Sequence, residues 1–375
     1  MNAERTPVVV AAKRTPQGKD DGALADARSE DLSVAVIDAL LTETGLDGAA
    51  VDDLQWGCAQ QRDEQDNNMA RVIALLSDLG ESVPAATINR WCASSMEALV
   101  NGANAIRAGQ RDIVIAGGVE SMSRIPMEGG YASIHPGLAD HYNIGSLQMG
   151  MTAEKVASEF SISRDDQDAY ALRSHQRAAA ATDAGRLVDE LVPVEGLESD
   201  EGIRRDTSLD KLAALRPVFT GDGTVTAGNA SQVSDGAAGL VIMSQAEATE
   251  CGLPVLAEVG DYQVAGVDPT IMGIGPVPAT QKLLSKTGLS IDDFDLVELN
   301  EAFASQTLYC QRELGIPKDR FNVNGGAIAI GHPLGASGAR LPVSLIHELN
   351  RRDDERGLAT LCVGFGQGAA VEFRR

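Results

Sequence analysis

The sequence alternates apolar runs of strand type with segments of helical periodicity, and this rhythm constrains the fold more than any other feature. Residues 7–12 form a continuous apolar run, and residues 31–44 repeat apolar side chains at helical spacing up to a stop at Gly45. Further segments of these two kinds are a helix at 68–79 and strands at 85–89, 113–116 and 255–264. Strands that alternate with helices form crossover units, which bury a sheet on both faces. The sequence therefore predicts an α/β protein with a mostly parallel central sheet.

The rhythm changes in the middle of the chain and then returns. From Ser121 to about Met243 the sequence has long polar connections, many turn residues and only two predicted helices, at 152–159 and, after a Ser163 cap, at 164–184. We therefore predict a lobe inserted into the first of two α/β halves. The predicted boundaries are 1–120 for the N-terminal half, completed by about 221–250, 121–220 for the inserted loop domain and 251–375 for the C-terminal half.

An internal repeat supports two similar halves. Residues 51–54 (Val-Asp-Asp-Leu) recur 240 positions later at 291–294 (Ile-Asp-Asp-Phe), and the same offset relates Cys92 to His332. Each of these two reactive residues precedes a helix start that contains serine or glycine. Because a fixed period indicates related structural units, we expect Cys92 and His332 to occupy equivalent turns of the two halves.

Charge and cysteine content exclude some classes of partner. The chain of 375 residues has a formal net charge of −23, and such a surface repels nucleic acid and anionic membranes. Any anionic ligand therefore needs a local basic patch. No apolar run approaches the roughly 20 residues that a membrane-spanning helix needs. The five cysteines are an odd number without a CxxC pair, which favours a reducing cytoplasm and argues against disulfides or a zinc site.

Cys92 is the first candidate for chemistry. It follows the predicted strand at 85–89 and begins a segment whose apolar residues keep helical spacing up to Gly109, so it lies near the first free N–H groups of that helix. Positive partial charge at a helix N-terminus stabilises the thiolate, which is the nucleophilic form of cysteine. The alternative for a lone cysteine is a buried core residue.

Three further clusters carry polar or reactive residues. The segment 322–340 surrounds His332 with five glycines, which suits a loop packed around a substrate, and it lacks the Gly-Lys-Ser/Thr ending of a phosphate-binding loop. Asn300 opens a polar cluster at 300–304, and Cys362 opens a glycine-rich turn at 362–368. Taken singly, these features also fit a structural histidine, a helix N-terminus and an ordinary turn.

Together the four clusters resemble the thiolases, which cleave or form 3-ketoacyl-CoA. The resemblance covers essentially the whole chain and includes the motifs at 116–122 (AGGVESM), 149–154 (MGMTAE), 215–219 (LRPVF) and 223–238 (GTVTAGNASQVSDGAA). It implies an α/β thiolase fold, in which two similar halves form a five-layered αβαβα body with an inserted loop domain. It also implies coenzyme A as a substrate, with no permanently bound cofactor and no metal.

The resemblance assigns a role to each reactive residue. Cys92 matches the nucleophile that becomes acylated, His332 the base that activates it, and Cys362 the second cysteine, which moves protons. Asn300 matches the residue that holds a catalytic water, which with His332 forms one oxyanion hole. The backbone N–H groups of Cys92 and Gly364 match the other hole. We expect the imidazole and the helix N-terminus to favour a Cys92 thiolate at neutral pH.

The resemblance also predicts residues that bind CoA, mainly on the inserted lobe. Ser231 matches a serine that contacts the pantetheine arm, and Arg204 lies where a basic residue faces the nucleotide phosphates. Both also fit an ordinary solvated loop. Phe219, Met272 and Phe303 match apolar residues around the CoA arm and the acyl site, and each of them also fits a core position.

Some residues depart from the acetoacetyl-CoA type of thiolase and favour the fatty-acid-oxidation type. Gln148 stands where the acetoacetyl-CoA type usually has histidine, and Phe365 where that type usually has glycine. The segments at 92–96, 268–273 and 324–329 look closer to bacterial fatty-acid-oxidation thiolases. We therefore favour a 3-ketoacyl-CoA thiolase of fatty-acid β-oxidation.

Three alternatives remain open. The first is an acetoacetyl-CoA thiolase, which condenses two acetyl-CoA molecules. The second is a decarboxylating ketosynthase on the same fold, which calls for a second histidine in place of Cys362 and an acyl-carrier partner. The third is a non-catalytic thiolase-like lipid-binding or scaffold protein, which predicts the loss of one of the four reactive residues, although all four are present here.

The resemblance extends to assembly. It implies a homodimer or homotetramer that acts on CoA thioesters in the cytoplasm, without nucleic acid and without membrane insertion. It also suggests a complex with the hydratase/dehydrogenase subunit that catalyses the reactions before the thiolase step of β-oxidation.

Overall fold

A computed structural model describes residues 3–127 and 134–375 of the chain. The strands of the described residues are β1 (Pro7–Arg14), β2 (Gly18–Lys19), β3 (Asp53–Gly57), β4 (Ala85–Ile88), β5 (Ile113–Ser121), β6 (Ser234–Ser244), β7 (Ala257–Gly266), β8 (Leu296–Leu299), β9 (Arg356–Val363) and β10 (Gln367–Arg374). The α-helices are α1 (Ser29–Thr44), α2 (Met69–Leu76), α3 (Ser94–Arg107), α4 (Met149–Glu159), α5 (Arg164–Asp183), α6 (Leu209–Ala213), α7 (Gln245–Glu250), α8 (Pro276–Thr287), α9 (Ala304–Leu314), α10 (Ala327–Ile330) and α11 (Leu334–Arg352).

The N-terminal half is a sheet in the order β4-β3-β5-β6-β1, with β2 added on β6 and with α1 and α2 on its outer face. Helix α1 buries Leu32, Val36 and Leu40 against this sheet because they recur at helical spacing. It ends at Gly45, whose left-handed backbone stops the helix as the sequence predicted. The predicted strand at 7–12 and helix at 31–44 are confirmed by β1 and α1.

The C-terminal half repeats this arrangement. Its strands follow the order β7-β10-β9-β8, and a parallel bridge from Val297 to Phe321 extends it beyond β8, where the other half has β4. Helices α8 and α9 cover its outer face, in the positions that α1 and α2 hold in the first half. The two halves meet where β1 pairs with β7 through two residue pairs.

Helices α3 and α11 form a middle layer between the halves. Their apolar side chains share one core with β5 and β6 on one side and with β9 and β10 on the other. The order from one surface to the other is therefore helix, strand, helix, strand, helix. This arrangement confirms the predicted five-layered αβαβα fold.

The sheet is mixed, so the prediction of a mostly parallel sheet is wrong. Among the named strands of the described residues, β3 with β4, β3 with β5 and β8 with β9 are parallel, and the other strand pairs are antiparallel. The reason lies in the connections. β9 returns to β10 through a three-residue turn, and β6 returns after the inserted segment, and either route permits the antiparallel direction.

The predicted equivalence of Cys92 and His332 is confirmed, whereas the predicted match between residues 51–54 and 291–294 is wrong. Helix α3 begins at Ser94 and α11 at Leu334, so Cys92 and His332 each lie two positions before a middle-layer helix. Residues 51–54 lead directly into β3, whereas Ile291–Asp293 forms a short 3₁₀ turn ahead of β8. The matching tetrapeptides are therefore not structurally equivalent.

Two glycines let the middle-layer helices approach the first sheet closely. A Cβ on Gly57 would lie 2.3 Å from the backbone nitrogen of Ser95, near the start of α3. A Cβ on Gly118 would lie 2.4 Å from the carbonyl oxygen of Gly335, near the start of α11. Because only glycine leaves room for such backbone contact, these two positions determine how deeply both helix N-termini lie in the molecule.

The inserted segment carries α4, α5 and α6 with long connections, and the two predicted helices are confirmed by α4 and α5. The Ser163 side chain caps α5 by accepting a hydrogen bond from the Asp166 backbone N–H, as predicted. The segment is attached to β1 by a buried ion pair, in which the Arg14 guanidinium contacts Glu190 and Asp200 at 2.7 Å each. Because both acids belong to the inserted segment, these contacts hold β1 and the segment together in addition to the covalent chain connections.

Candidate active site

The predicted catalytic residues come from four different turns that meet at the N-terminal ends of the middle-layer helices. Cys92 lies between β4 and α3, and His332 lies between α10 and α11. Asn300 directly follows β8, and Cys362 lies at the end of β9. All four side chains are buried. Gly364 occupies the turn between β9 and β10, where its backbone N–H reaches the Cys92 sulfur.

Cys92 is a protonated thiol in this structure. Burial raises the pKa of Cys92 to about 12, although hydrogen bonds from the backbone N–H groups of Gly364 and of Cys92 itself act in the opposite direction. The expectation of a thiolate at neutral pH is therefore wrong for the ligand-free protein. The physical reason is that a fully buried anion loses its hydration, and a neutral imidazole supplies no positive charge to compensate. If Cys92 is the nucleophile as predicted, its thiol has to lose its proton during the attack.

The imidazole of His332 has a defined tautomer. Its Nδ1 lies 2.6 Å from Ser337 Oγ, and the Ser337 hydroxyl donates its only proton to the carbonyl oxygen of Pro333 at 2.8 Å. The hydroxyl must therefore accept a hydrogen bond, so we assign the ring proton to Nδ1. This assignment leaves the basic lone pair on Nε2, which accepts a hydrogen bond from Asn300 Nδ2 at 3.2 Å.

Arg340 controls both the orientation of Asn300 and the charge of His332. The Arg340 side chain is buried, and its Nη2 donates to Asn300 Oδ1 at 3.3 Å, which leaves Asn300 Nδ2 facing the imidazole. Burial, together with the nearby Arg340 charge, lowers the pKa of His332 to about 3. His332 is therefore neutral over the working pH range and can act as a base.

Cys362 is suited to donate a proton. Burial and the neighbouring Cys92 raise its pKa well above the ordinary value for a thiol. The influence of Cys92 on the pKa of Cys362 joins two thiols that come from different halves of the molecule. A thiol that stays protonated next to the nucleophile is an acid for a carbanion that forms there.

An apolar slot opens beside the nucleophile. It is narrow, with a cavity volume of about 20 Å³, and Cys92 and Gly364 lie on its wall. Its other described lining residues are Gln60, Trp91, Met127, Leu147, Met149, Leu334 and Phe365. Besides the Cys92 thiol and the Trp91 indole N–H, Gln60 supplies the only polar side-chain group among the described residues of this wall. The slot therefore fits an apolar group attached to the Cys92 sulfur.

A larger cleft of about 420 Å³ adjoins the slot, and the two share Met127, Met149 and Leu334. His332 lines this cleft together with four of the residues predicted to bind CoA or substrate: Gln148, Ser231, Phe219 and Phe303. The rings of Phe219 and Phe303 meet edge to face, with centroids 6.3 Å apart. The base and the nucleophile therefore stand on connected walls, one in the cleft and one in the slot.

Two predicted binding residues are not brought into this cleft. Met272 is buried in the short helical segment Pro269–Ile274 and does not line the cleft. Arg204 is exposed, and its backbone N–H contacts His175 Nδ1 at 3.1 Å. Its side chain does not line the cleft either. The basic residue at this position therefore stays a prediction, and the adjacent Arg205 is paired with Asp183.

Several residues of the site were missed by the sequence reasoning. Ser337 and Arg340 lie within the quoted segment 322–340, five and eight positions after His332, and helical spacing along α11 was the signal that places them near it. Gln232 was missed although it lies in the motif at 223–238. Its side-chain Nε2 donates to the backbone carbonyl oxygens of Gly202, Ile328 and Ala329. The backbone carbonyl oxygen of Gln232 accepts a hydrogen bond from the His332 backbone N–H.

Substitution of Ser337 tests the assigned tautomer. We expect Ser337→Ala to lower kcat by about tenfold to a hundredfold, part of the 10²–10⁴ that a positioned base contributes, because the Nδ1–H loses its acceptor. KM should change little because Ser337 lines neither the slot nor the cleft. Steady-state kinetics on a CoA thioester measures both. Ser344→Ala on the same helix is the matched control, and equal kcat values for the two variants would contradict the assignment.

A thiol nucleophile beneath paired backbone donors, a neutral imidazole and a second thiol define a site for acyl transfer through a thioester on cysteine. The comparisons with known proteins agree. Residues 7–246 match the family model for the thiolase N-terminal domain, and residues 253–375 match the model for the thiolase C-terminal domain. The chain therefore belongs to the thiolase family, and it is an acyltransferase. The predicted family is confirmed.

Individual relatives and solved structures show which members of the thiolase family the chain is similar to. A 3-ketoacyl-CoA thiolase of Pseudoalteromonas translucida is 48% identical over 384 residues, covering 98% of each chain. One from Vibrio vulnificus is 46% identical over 383 residues, covering 98% of this chain and 99% of its own. The structure of human mitochondrial 3-ketoacyl-CoA thiolase in complex with CoA matches with a TM-score of 0.93 at 41% identity, covering 99% of this chain and 98% of that one. The Bacillus anthracis acetyl-CoA acetyltransferase matches with a TM-score of 0.91 at 40% identity over the full length of both chains.

The described residues were also compared with what a metal site or a membrane span requires of side chains and helices. Within residues 3–127 and 134–375, no group of three or more His, Cys, Asp or Glu side chains is arranged to hold a metal ion. The same residues contain no helix with the length and apolar character needed to cross a membrane.

Proposed function

We propose that the chain is a 3-ketoacyl-CoA thiolase, which cleaves a 3-ketoacyl-CoA with CoA into acetyl-CoA and an acyl-CoA two carbons shorter. The observation that carries the proposal is the apolar slot beside Cys92, connected to the cleft that contains His332. A slot of this kind gives an acyl chain a place next to the nucleophile. The relatives named as 3-ketoacyl-CoA thiolases over nearly the whole chain support the same conclusion.

In the first half-reaction the Cys92 sulfur attacks the 3-keto carbon while its proton passes to His332 Nε2. The bond between the second and third carbons then breaks, which leaves the acyl group on Cys92 and an enolate of acetyl-CoA. The N–H groups of Cys92 and Gly364 stabilise the negative charge on the oxygen of the attacked carbonyl. The imidazolium and Asn300 Nδ2 stabilise the enolate oxygen, and Cys362 gives the enolate carbon its proton.

In the second half-reaction a CoA thiol attacks the acyl group on Cys92. The thiolate of Cys362, formed in the first half, takes the proton from the incoming CoA. The Cys92 sulfur leaves and recovers its proton from the His332 imidazolium. Both thiols and the imidazole return to their starting states, so no further reactant is needed.

A second candidate is the acetoacetyl-CoA thiolase, which the match to the Bacillus anthracis acetyl-CoA acetyltransferase favours. This reaction uses the same residues and differs in the acyl group on Cys92, which is then acetyl. We place it second because the relatives that are 48% and 46% identical over nearly the whole chain are named 3-ketoacyl-CoA thiolases.

The assay that tests the proposal compares CoA-dependent cleavage of acetoacetyl-CoA with that of 3-ketooctanoyl-CoA. We expect kcat/KM for the eight-carbon substrate to be higher by about tenfold or more, because each additional methylene buried in an apolar pocket favours binding. Cleavage of acetoacetyl-CoA alone moves the protein to the second candidate. Failure of the folded protein to cleave either compound contradicts both candidate functions and favours a non-catalytic binding role.

We also propose a setting for this activity. The absence of a CxxC pair and the net charge of −23 support a cytoplasmic enzyme of fatty-acid β-oxidation, independent of nucleic acid and of membrane insertion. A homodimer or homotetramer, and a complex with a hydratase/dehydrogenase subunit, are further parts of the proposal that rest on the family resemblance.

A further inference from the structure

Two bulky aromatic residues next to the catalytic groups have backbones in the left-handed region. Trp91, directly before Cys92, has a φ of 47°, and Phe365, directly after Gly364, has a φ of 59°. Large side chains rarely adopt this conformation because it brings Cβ close to the backbone. Such strain persists only where the surrounding structure imposes it, and it concentrates at functional sites.

Local hydrogen bonds hold both strained residues in place. The Trp91 backbone N–H donates to Asn89 Oδ1 at 2.8 Å, and the Trp91 carbonyl oxygen accepts from the backbone N–H of Ser94 at 3.0 Å. On the other side, the carbonyl oxygen of Gly366 accepts from the backbone N–H of Val267 at 2.8 Å. The backbone of Trp91 and the backbone next to Phe365 are therefore fixed by the turns that carry Cys92 and Gly364.

The two rings touch although they are 274 positions apart in the sequence. Their centroids are 5.2 Å apart with the planes tilted by 40°, a contact that favours a fixed mutual position. The Trp91 ring also covers Gly364, since a Cβ added to that glycine would lie 3.7 Å from it. We call this pair, Trp91 and Phe365, the aromatic wall.

The aromatic wall forms one side of the slot that Cys92 opens into. Other walls of the slot are flexible, because Met127 and Met149 are unbranched side chains that adapt to their neighbours. The width of the slot next to the sulfur is therefore determined by the rigid rings, and its depth can adjust through the methionines.

We propose that the aromatic wall determines which acyl groups Cys92 accepts: it admits an unbranched medium-chain acyl group and excludes one branched at the carbon next to the thioester carbonyl. This inference rests on the proposed 3-ketoacyl-CoA thiolase function. The branch point of such a chain lies immediately beside Cys92, where it meets the rings. A linear chain passes between the rings and the methionines.

The test compares 3-ketooctanoyl-CoA with its 4-methyl derivative, whose methyl group ends up beside the thioester on Cys92. In the wild-type protein we expect kcat/KM for the branched substrate to be lower by about tenfold or more. In Phe365→Gly the ring is gone, and glycine adopts the left-handed backbone without strain. The branched-to-linear ratio of kcat/KM should therefore rise by about tenfold.

The matched control is Phe160→Leu, which breaks an aromatic pair with Tyr309 at a centroid distance of 4.1 Å outside the slot. Its branched-to-linear ratio should equal that of the wild type. Trp91→Leu is the second variant, and it provides the ratio if Phe365→Gly does not fold. A ratio unchanged in a folded, active wall variant overturns the inference, as does a wild type that takes both substrates equally. A wild type that cleaves neither substrate instead contradicts the proposed function.

Discussion

Replacement of Cys92 with alanine is expected to lower the rate of 3-ketoacyl-CoA cleavage by at least about 10⁴-fold, since the loss of a covalent nucleophile leaves only binding and oxyanion stabilisation. In the proposed mechanism the Cys92 sulfur accepts the acyl group, and burial raises the pKa of the Cys362 thiol, which favours its protonated form. The measurements are the initial rate of CoA-dependent cleavage and the mass of the protein after incubation with an acyl-CoA alone. The wild type should gain the mass of one acyl group, and the variant should not.

Cys251→Ala is the control for the Cys92 substitution. Cys251 is exposed and lies at the end of α7, away from the slot and the cleft. This variant should cleave substrate and take up the acyl group like the wild type. Retention of cleavage in Cys92→Ala within tenfold of the wild type contradicts the assignment of the nucleophile.

Replacement of His332 with glutamine is expected to lower kcat by about 10³-fold, within the range that a positioned general base contributes. Burial raises the pKa of Cys92 to about 12, so attack by its sulfur requires proton transfer, and the acceptor in the proposed mechanism is His332 Nε2. Glutamine retains polar atoms for Ser337 and Asn300 but has no basic nitrogen. Steady-state kinetics on 3-ketooctanoyl-CoA measures the change.

The same variant should alter how stability depends on pH. The folded protein holds His332 neutral down to a pKa of about 3, whereas an unfolded histidine takes up a proton near pH 6.5. Between these values the unfolded chain binds more protons, so stability falls as the pH is lowered through 6.5 towards 3. At pH 5 this contribution amounts to about 2 kcal/mol relative to neutral pH. His332→Gln removes it.

Urea midpoints at pH 7.5 and pH 5.0 measure this effect. The difference between the two midpoints should be smaller in His332→Gln than in the wild type. It should be unchanged in His141→Gln, which replaces an exposed histidine. Burial also lowers the pKa of His175, to about 4, so part of the acid sensitivity remains in every variant. Equal midpoint differences in wild type and His332→Gln exclude a buried neutral imidazole.

The parts of the fold that sequence reasoning predicted well are those with local signals. Glycine and periodicity place the start of α3 after Cys92 and the end of α1 at Gly45, because both depend on neighbours within a few residues. Strand direction was predicted wrongly because it depends on how each connection returns. The route from β9 to β10 is a short turn, and no periodicity within either strand distinguishes it from a crossover.

In the candidate active site, too, features with a local sequence signal were predicted and features that depend on packing were missed. The motif residues Cys92, His332, Cys362 and Gly364 were identified individually, and the structure brings them together at the ends of the middle-layer helices. The raised pKa of Cys92 was missed because burial is a property of the packed molecule. The contact between Trp91 and Phe365 was missed for a related reason, since residues far apart in the sequence show no local pattern that joins them.

The equivalent positions of Cys92 and His332 before α3 and α11 have a consequence for folding. The nucleophile belongs to one half and the base to the other, and the two meet only where the middle layer closes. Contacts between residues so distant in the sequence form late, after each half has collapsed around its own local structure. Recovery of catalysis during refolding therefore reports the docking of the two halves, whereas recovery of helical content reports an earlier event.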